Sequence, residues 1–162
     1  MTLWIAELLY NAVYFIFPAY CANAAPVIFG GGTPIDGGKN FRDGHKIFGP
    51  RKTFRGFFAG LAVGTLVGYI IQKNILLGFL LSFGALTGDL IESFSKRRLG
   101  RPPGASFPVA DQLDFVAGAL LFSLLVSPPS LPIALTIVII TPPIHLSANF
   151  FAYRLGMKKE PW

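Results

Sequence analysis

Residues 88–98 read Gly-Asp-Leu-Ile-Glu-Ser-Phe-Ser-Lys-Arg-Arg. On a helix, Asp89, Glu92, Ser93 and Lys96 fall at i, i+3, i+4 and i+7 and share one face. At ~1.5 Å rise per residue, Asp89 lies about 10 Å below Lys96, inside apolar sequence. An ionised carboxylate at that depth is costly, so it should face a polar cavity or a partner. An ion pair with Lys96, one turn on, accounts for Glu92 but not for Asp89. A second acid pair follows in Asp111-Gln112-Leu113-Asp114. Asp111 suits a helix N-cap, whereas Asp114 sits one turn further in on the same face, where capping does not explain it. Acids gathered at the ends of two sequential helices form an all-oxygen donor set. That suits Mg²⁺, which binds through one or two carboxylates plus phosphate oxygens. Zinc is not suited: His45 and His145 are far apart in sequence, and Cys21, the single cysteine, also excludes an internal disulfide. His145, on an apolar stretch, reads as a structural residue.

A glycine-rich connection supplies the complementary groups. It runs Asn23-Ala-Ala-Pro26, Gly30 to Gly32, Thr33-Pro34-Ile35-Asp36-Gly37-Gly38-Lys39, Asp43-Gly44 and Gly49-Pro50-Arg51-Lys52-Thr53. Glycines beside Lys and Thr present backbone N–H groups to phosphate. Lys52-Thr53 is not the end of a P-loop, because no glycine precedes the lysine and no strand precedes the loop. A structureless loop of this length is uncommon in a compact domain, and Val27-Ile28-Phe29 and Ile47-Phe48 give it apolar anchors. It is expected to fold back and cover a site.

The elements that position these groups belong in lipid. Of 162 residues, 52% are hydrophobic and 14% charged, against about 25% charged in soluble domains. The length suits one domain spanning 1–162. Five apolar segments, about 3–20, 57–71, 75–94, 113–126 and 131–151, predict an all-α integral membrane protein of about five transmembrane helices. A long cytoplasmic loop joins the first and second. Two segments fall short of the ~20 residues that cross a bilayer and need tilt or buried ends. Gly56, Gly60, Gly64 and Gly68 line one face of the second span for close helix packing. Ala22-Asn23-Ala24 resembles a signal-cleavage site. Yet no basic residue precedes Lys39, and Glu7 stands where a positive region belongs, so the first span is expected to be a retained helix. Of the 14 Lys and Arg residues, all but Lys73 fall in the first loop, the 95–112 connection or the C-terminal tail. The positive-inside rule then places the N-terminus outside and the C-terminus in the cytoplasm. The net charge of +6 therefore meets lipid heads or nucleotide phosphates rather than nucleic acid.

Gly88-Asp89-Leu90-x-x-Ser93-x-x-Lys96-Arg97, with Pro108 and Asp114 downstream, resembles the CTP:phosphatidate cytidylyltransferases. The Lys-Asp and His-Gly-Gly elements of the bacterial and eukaryotic members are missing. The fuller resemblance, over roughly residues 20–155, is to the archaeal branch, the CDP-archaeol synthases. It is carried by Asn23-x-x-Pro26, Pro34-x-Asp36-x-Gly38, Asp43-Gly44, Gly49-x-x-Lys52-Thr53 and Asp111-Gln112-Leu113-Asp114. That resemblance implies transfer of CMP from CTP to an isoprenoid diether lipid phosphate, with release of pyrophosphate and polar lipid biosynthesis as the setting. It implies that Asp89, Asp111 and Asp114 hold Mg²⁺ and, with Lys96, form the catalytic set. It implies that Asn23, Pro26, Thr33, Asp36, Lys39, Asp43, Lys52, Thr53, Ser93 and Arg97 bind CTP and its phosphates. Two rivals are weighed against it. A CDP-alcohol phosphotransferase needs acids spaced by four on the helix after its Asp-Gly, and these are spaced by three. A membrane ion or small-solute transporter with carboxylate ion sites would hold its charges near the midplane. Here they crowd the ends of the spans beside basic residues.

Overall fold

The computed structural model describes residues 2–102, 105 and 107–161 and is helical. Five helices follow one another: α1 (Thr2–Phe29), α2 (Phe54–Gln72), α3 (Ile75–Arg98), α4 (Ala110–Ser123) and α5 (Leu131–Arg154). Four of them, α1, α2, α3 and α5, are long and apolar enough to cross a membrane. With 14 residues, α4 is about 21 Å long and does not reach across a ~30 Å hydrocarbon core. It starts three residues before the segment expected from sequence and stops at Ser123, where the 124–126 turn precedes Pro128 and Pro129. Its inner face is fully buried through Phe115, Val116 and Ala119.

The largest departure from the sequence expectation is α1, which continues nine residues past Tyr20 and through Pro18 and Pro26. Asn23 and Pro26 therefore belong to a helix, not to the loop. A proline inside a helix frees the carbonyl one turn earlier. The side-chain amide of Gln72 donates to the Tyr14 carbonyl freed by Pro18, and to that of Phe15, both at 2.9 Å. The carbonyl freed by Pro26, at Ala22, lies against Gly60. Apolar context lets neighbouring helices satisfy such groups, so the prolines do not stop the span. Val27, Ile28 and Phe29, read as loop anchors, are instead exposed on the last turn of α1.

Small residues set the helix crossings. All four glycines of the α2 stripe are buried. Gly56, Gly60 and Gly64 meet Pro26, Ala22 and Pro18 in turn, which makes α1 and α2 antiparallel. Gly68 meets Gly78 across the tight α2–α3 turn. Between α3 and α4, Gly84 lies against Gly118 and Gly88 against the Asp114 carbonyl, again antiparallel. A Cβ at Gly84, Gly88 or Gly118 would collide with the facing backbone. Around these contacts Ile16, Leu81, Phe115, Val116 and Ile137 close a core shared by α1, α3, α4 and α5. The Tyr20 hydroxyl meets the Thr141 hydroxyl at 2.8 Å, linking α1 to α5.

The 30–53 connection is ordered by its own backbone. Residues 33–35 pair with 52–54 (Ile35 N–H to Lys52 O, 2.8 Å; Phe54 N–H to Thr33 O, 3.1 Å), which closes the loop at its base. Asn40 bridges Lys46 further out. The Arg98 guanidinium staples this outer part to α3. It pairs with Asp43 at 2.8 Å, donates to the Lys46 carbonyl at 2.6 Å, and lies 4.6 Å from the ring centres of Phe41 and Phe94.

Candidate active site

One end of the bundle holds a cavity of about 540 Å³. Its walls are the last turns of α1, the first of α2 and α4, the C-terminal halves of α3 and α5, the inner part of the loop, and the tail beyond α5. The helical face read from sequence is intact: Asp89, Glu92, Ser93 and Lys96 all line it, with Arg97 beside them. Asp111 and Asp114 face them from α4, placed there by the Gly88–Asp114 crossing.

Charges in the cavity are largely interlocked. The Lys52 ammonium reaches from the loop to both Asp89 oxygens, at 2.6 and 2.5 Å. Lys96 pairs with Glu92 at 2.8 Å, the ion pair expected one turn apart, and with Asp111 at 2.6 Å. Asp111 does not cap α4. It stands in the first turn, where its second oxygen accepts from the Phe107 N–H at 3.0 Å. Asp114 accepts from the Phe115 N–H at 2.6 Å and, among the described residues, forms no ion pair.

Arg97 is the exception on the cationic side. It is 5% exposed, yet its Nε and Nη1 have no hydrogen-bond partner. A buried guanidinium without an acceptor is unstable relative to water unless something anionic joins it. Arg51 also lines the cavity, paired with Glu160 of the tail at 3.0 Å.

Ten of the fourteen sequence-derived site residues line this cavity: Asn23, Pro26, Lys52, Thr53, Asp89, Ser93, Lys96, Arg97, Asp111 and Asp114. Thr53 also caps α2, its hydroxyl accepting from the Gly56 N–H at 3.1 Å. Thr33, Asp36, Lys39 and Asp43 are not brought to the cavity. Asp36 instead organises the loop, accepting from the N–H groups of Gly38, Phe48 and Gly49 at 2.9–3.0 Å. Burial alone would raise its pKa, but these three donors and the nearby Lys46 charge bring it below the ordinary carboxylate value. Asp43 is held by Arg98, the Lys39 side chain is exposed, and Thr33 contributes only its carbonyl to the loop base. Nor are Asp89, Asp111 and Asp114 gathered into a ready-made ion cage. No three His, Cys, Asp or Glu side chains among the described residues are placed to hold a metal ion. Lys52 and Lys96 draw two of the three carboxylates to themselves. The donors remain hard oxygens, the type Mg²⁺ takes, and substrate phosphates normally complete such sites.

Sequence reading missed Arg51, His145, Asn149, Lys158 and Glu160, all of which line the cavity. His145 and Asn149 sit one turn apart on α5, with the Asn149 amide 3.2 Å from the imidazole Nδ1. A polar pair at i, i+4 on an otherwise apolar span is the signal that could have flagged them.

The helical membrane bundle that holds this cavity has counterparts among known proteins. The chain matches the CarS-like family of CDP-archaeol synthases over residues 5–162. The chain belongs to that family. The CDP-archaeol synthase of Thermococcus gammatolerans is 49% identical, over 93% of this chain and 95% of the relative. That of Methanococcus aeolicus is 47% identical, over 98% and 99%. A solved structure of an intramembrane enzyme for archaeal membrane lipids biosynthesis is 37% identical and superimposes with a TM-score of 0.80, covering 87% of this chain and 94% of that one. The chain is thus a multi-pass membrane enzyme of the CTP-dependent nucleotidyltransferase class, which sets the transporter reading aside.

Proposed function

We propose that the cavity transfers CMP from CTP to an isoprenoid diether lipid phosphate (unsaturated archaetidic acid), giving CDP-archaeol and pyrophosphate. The observation that carries this reading is the buried Arg97 guanidinium with two unpartnered nitrogens, set beside carboxylates at one end of a membrane bundle. Cations that need an anion, next to acids that suit a divalent cation, fit a metal-bound triphosphate better than a neutral solute.

In this reaction an oxygen of the lipid phosphate attacks the α-phosphorus of CTP. The bond from that phosphorus to the bridging oxygen breaks, and pyrophosphate departs with the electron pair. Phosphoryl chemistry of this kind needs positioning and charge neutralisation rather than a covalent nucleophile. Arg97, Lys96 and Lys52 bind and neutralise phosphate oxygens. Asp89 orients Lys52, while Glu92 and Asp111 fix Lys96 from two sides. Mg²⁺, when bound, would be held by Asp89, Asp111 and Asp114 and would neutralise charge on the phosphates. The whole chain acts as a single membrane-embedded domain, its cavity facing the cytosol where CTP is found, its lipid substrate drawn from the surrounding membrane.

The test is incorporation of label from α-labelled CTP into lipid by the detergent-solubilised protein with Mg²⁺ present. Label enters the diether phosphate and enters diacyl phosphatidic acid less well. Asp89→Asn and Asp114→Asn each lower turnover by at least about a hundredfold while the protein stays folded. Failure with both lipids removes the reading, and near-normal rates in both variants remove the metal assignment.

A further inference from the structure

The segment after α5 has no role in the mechanism above, yet it forms a wall of the same cavity. At the end of α5, Gly156 takes a positive φ of 73° and the chain reverses there, with the Met157 N–H returning to the Ala152 carbonyl at 2.9 Å. Side chains with φ > 0 are disfavoured except for glycine, so Gly156 sets the direction in which the tail departs. That direction brings Met157, Lys158, Lys159 and Glu160 against the cavity. Glu160 is latched to Arg51 at 3.0 Å, which ties the tail to the 30–53 loop.

We propose that this tail is part of the nucleotide site, with Lys158 joining Arg51 and Arg97 in a cationic pole that holds the two terminal phosphates of CTP and then the pyrophosphate leaving group. The inference rests on the cytidylyl-transfer reading and adds a third chain segment to it. Three observations support it. Lys158 is partly buried and lines the cavity together with Arg51 and Arg97, which come from three different segments. Arg97 is buried with unpartnered nitrogens, so this pole already demands an anion. Burial, and next the neighbouring Arg51 charge, hold the Lys158 ammonium below the ordinary lysine pKa. Arg51 is already paired with Glu160, so the unmet demand for an anion here is that of Arg97, and an arriving polyanion that answers it meets Lys158 and Arg51 in the same cavity. As the bond to the α-phosphorus breaks, charge moves onto the departing pyrophosphate, and this pole lies ready to receive it.

The discriminating experiment compares binding of inorganic pyrophosphate and of CMP, each with Mg²⁺, to the full-length solubilised protein by titration calorimetry. Lys158→Gln weakens pyrophosphate binding by about tenfold or more and leaves CMP within about twofold, while Lys158→Arg restores most of the pyrophosphate affinity. A purely structural tail would give a different pattern, with both ligands weakened together and no rescue by arginine. That pattern, or an unchanged pyrophosphate affinity, overturns the proposal. Should wild-type protein bind neither pyrophosphate nor CTP, the cytidylyl-transfer reading itself fails. Wild-type turnover with an indifferent Lys158→Gln variant sinks only the role of the tail.

Discussion

Arg97 is where binding and stability pull in opposite directions. Its guanidinium is desolvated without full compensation, so the empty protein carries a cost at this position. Arg97→Met is therefore expected to lower affinity for CTP by about tenfold or more, while thermal unfolding in detergent stays unchanged or moves upward. Arg97→Lys keeps the charge but loses the planar fork, so its CTP affinity falls between the two. A loss of stability like that of a core truncation, with CTP binding intact, would mean that Arg97 is a structural residue. Helical phase made Asp89, Ser93 and Lys96 legible in sequence, because a polar face on an apolar span must turn toward a cavity or a partner rather than toward lipid. The acids of the loop were not separable in that way. Asp36 and Asp43 look in sequence like ligands, yet they satisfy four backbone N–H groups and the Arg98 guanidinium. Lys158 gave no signal at all, since its place depends on the turn at Gly156 and on where α5 ends.

At the level of the helices, the placement of Asp114 depends on how closely α3 and α4 cross. Gly84, Gly88 and Gly118 let the two backbones touch, and that contact holds Asp114 opposite the Asp89 face. Gly118→Leu forces the helices apart at the Gly84 carbonyl, so it is expected to cost about 1–3 kcal/mol of stability or more. The shift would also separate Asp114 from the α3 residues. Misplacement by ~1 Å can lower rates by about a hundredfold, so turnover should fall further than stability alone explains. Gly118→Ala, which adds one methyl, should lie between. Thermal unfolding and label incorporation, measured on the same preparations, check both effects, and a Gly118→Leu protein with normal values in both would refute the crossing as the positioning device. The α2 stripe announced itself through four glycines on one helix. The α3–α4 contact was hidden because its glycines are shared between two segments whose pairing no single-segment pattern reveals. Helix ends were misjudged for a related reason. The sequence places Asn23 and Pro26 in a loop after a span ending near residue 20, but Gly60 lies against the Ala22 carbonyl that Pro26 frees, and α1 runs on to Phe29.

For the molecule as a whole, the distribution of charge and the folding of the connections agree on one polar end. The loop, the end of α3 and the tail meet there through the Lys52–Asp89, Arg98–Asp43 and Arg51–Glu160 pairs. Lys73 and the 124–130 turn lie at the opposite ends of their helices. Basic residues near span ends are retained on the cytoplasmic side, so the cavity is expected to face the cytosol and the start of α1 the exterior. Cysteine labelling tests this directly. In a Cys21→Ala background, Arg42→Cys sits on the exposed surface of the loop, and Ser130→Cys sits before α5, where the serine hydroxyl makes no capping bond. Both substitutions should therefore be tolerated. A membrane-impermeant maleimide added to intact cells should modify the cysteine at 130 and leave that at 42 unmodified until the membrane is opened. The opposite pattern would turn the carboxylates and Arg97 toward a compartment without nucleotide, and the cytidylyl-transfer mechanism would then lose its supply of CTP whatever the geometry of the cavity.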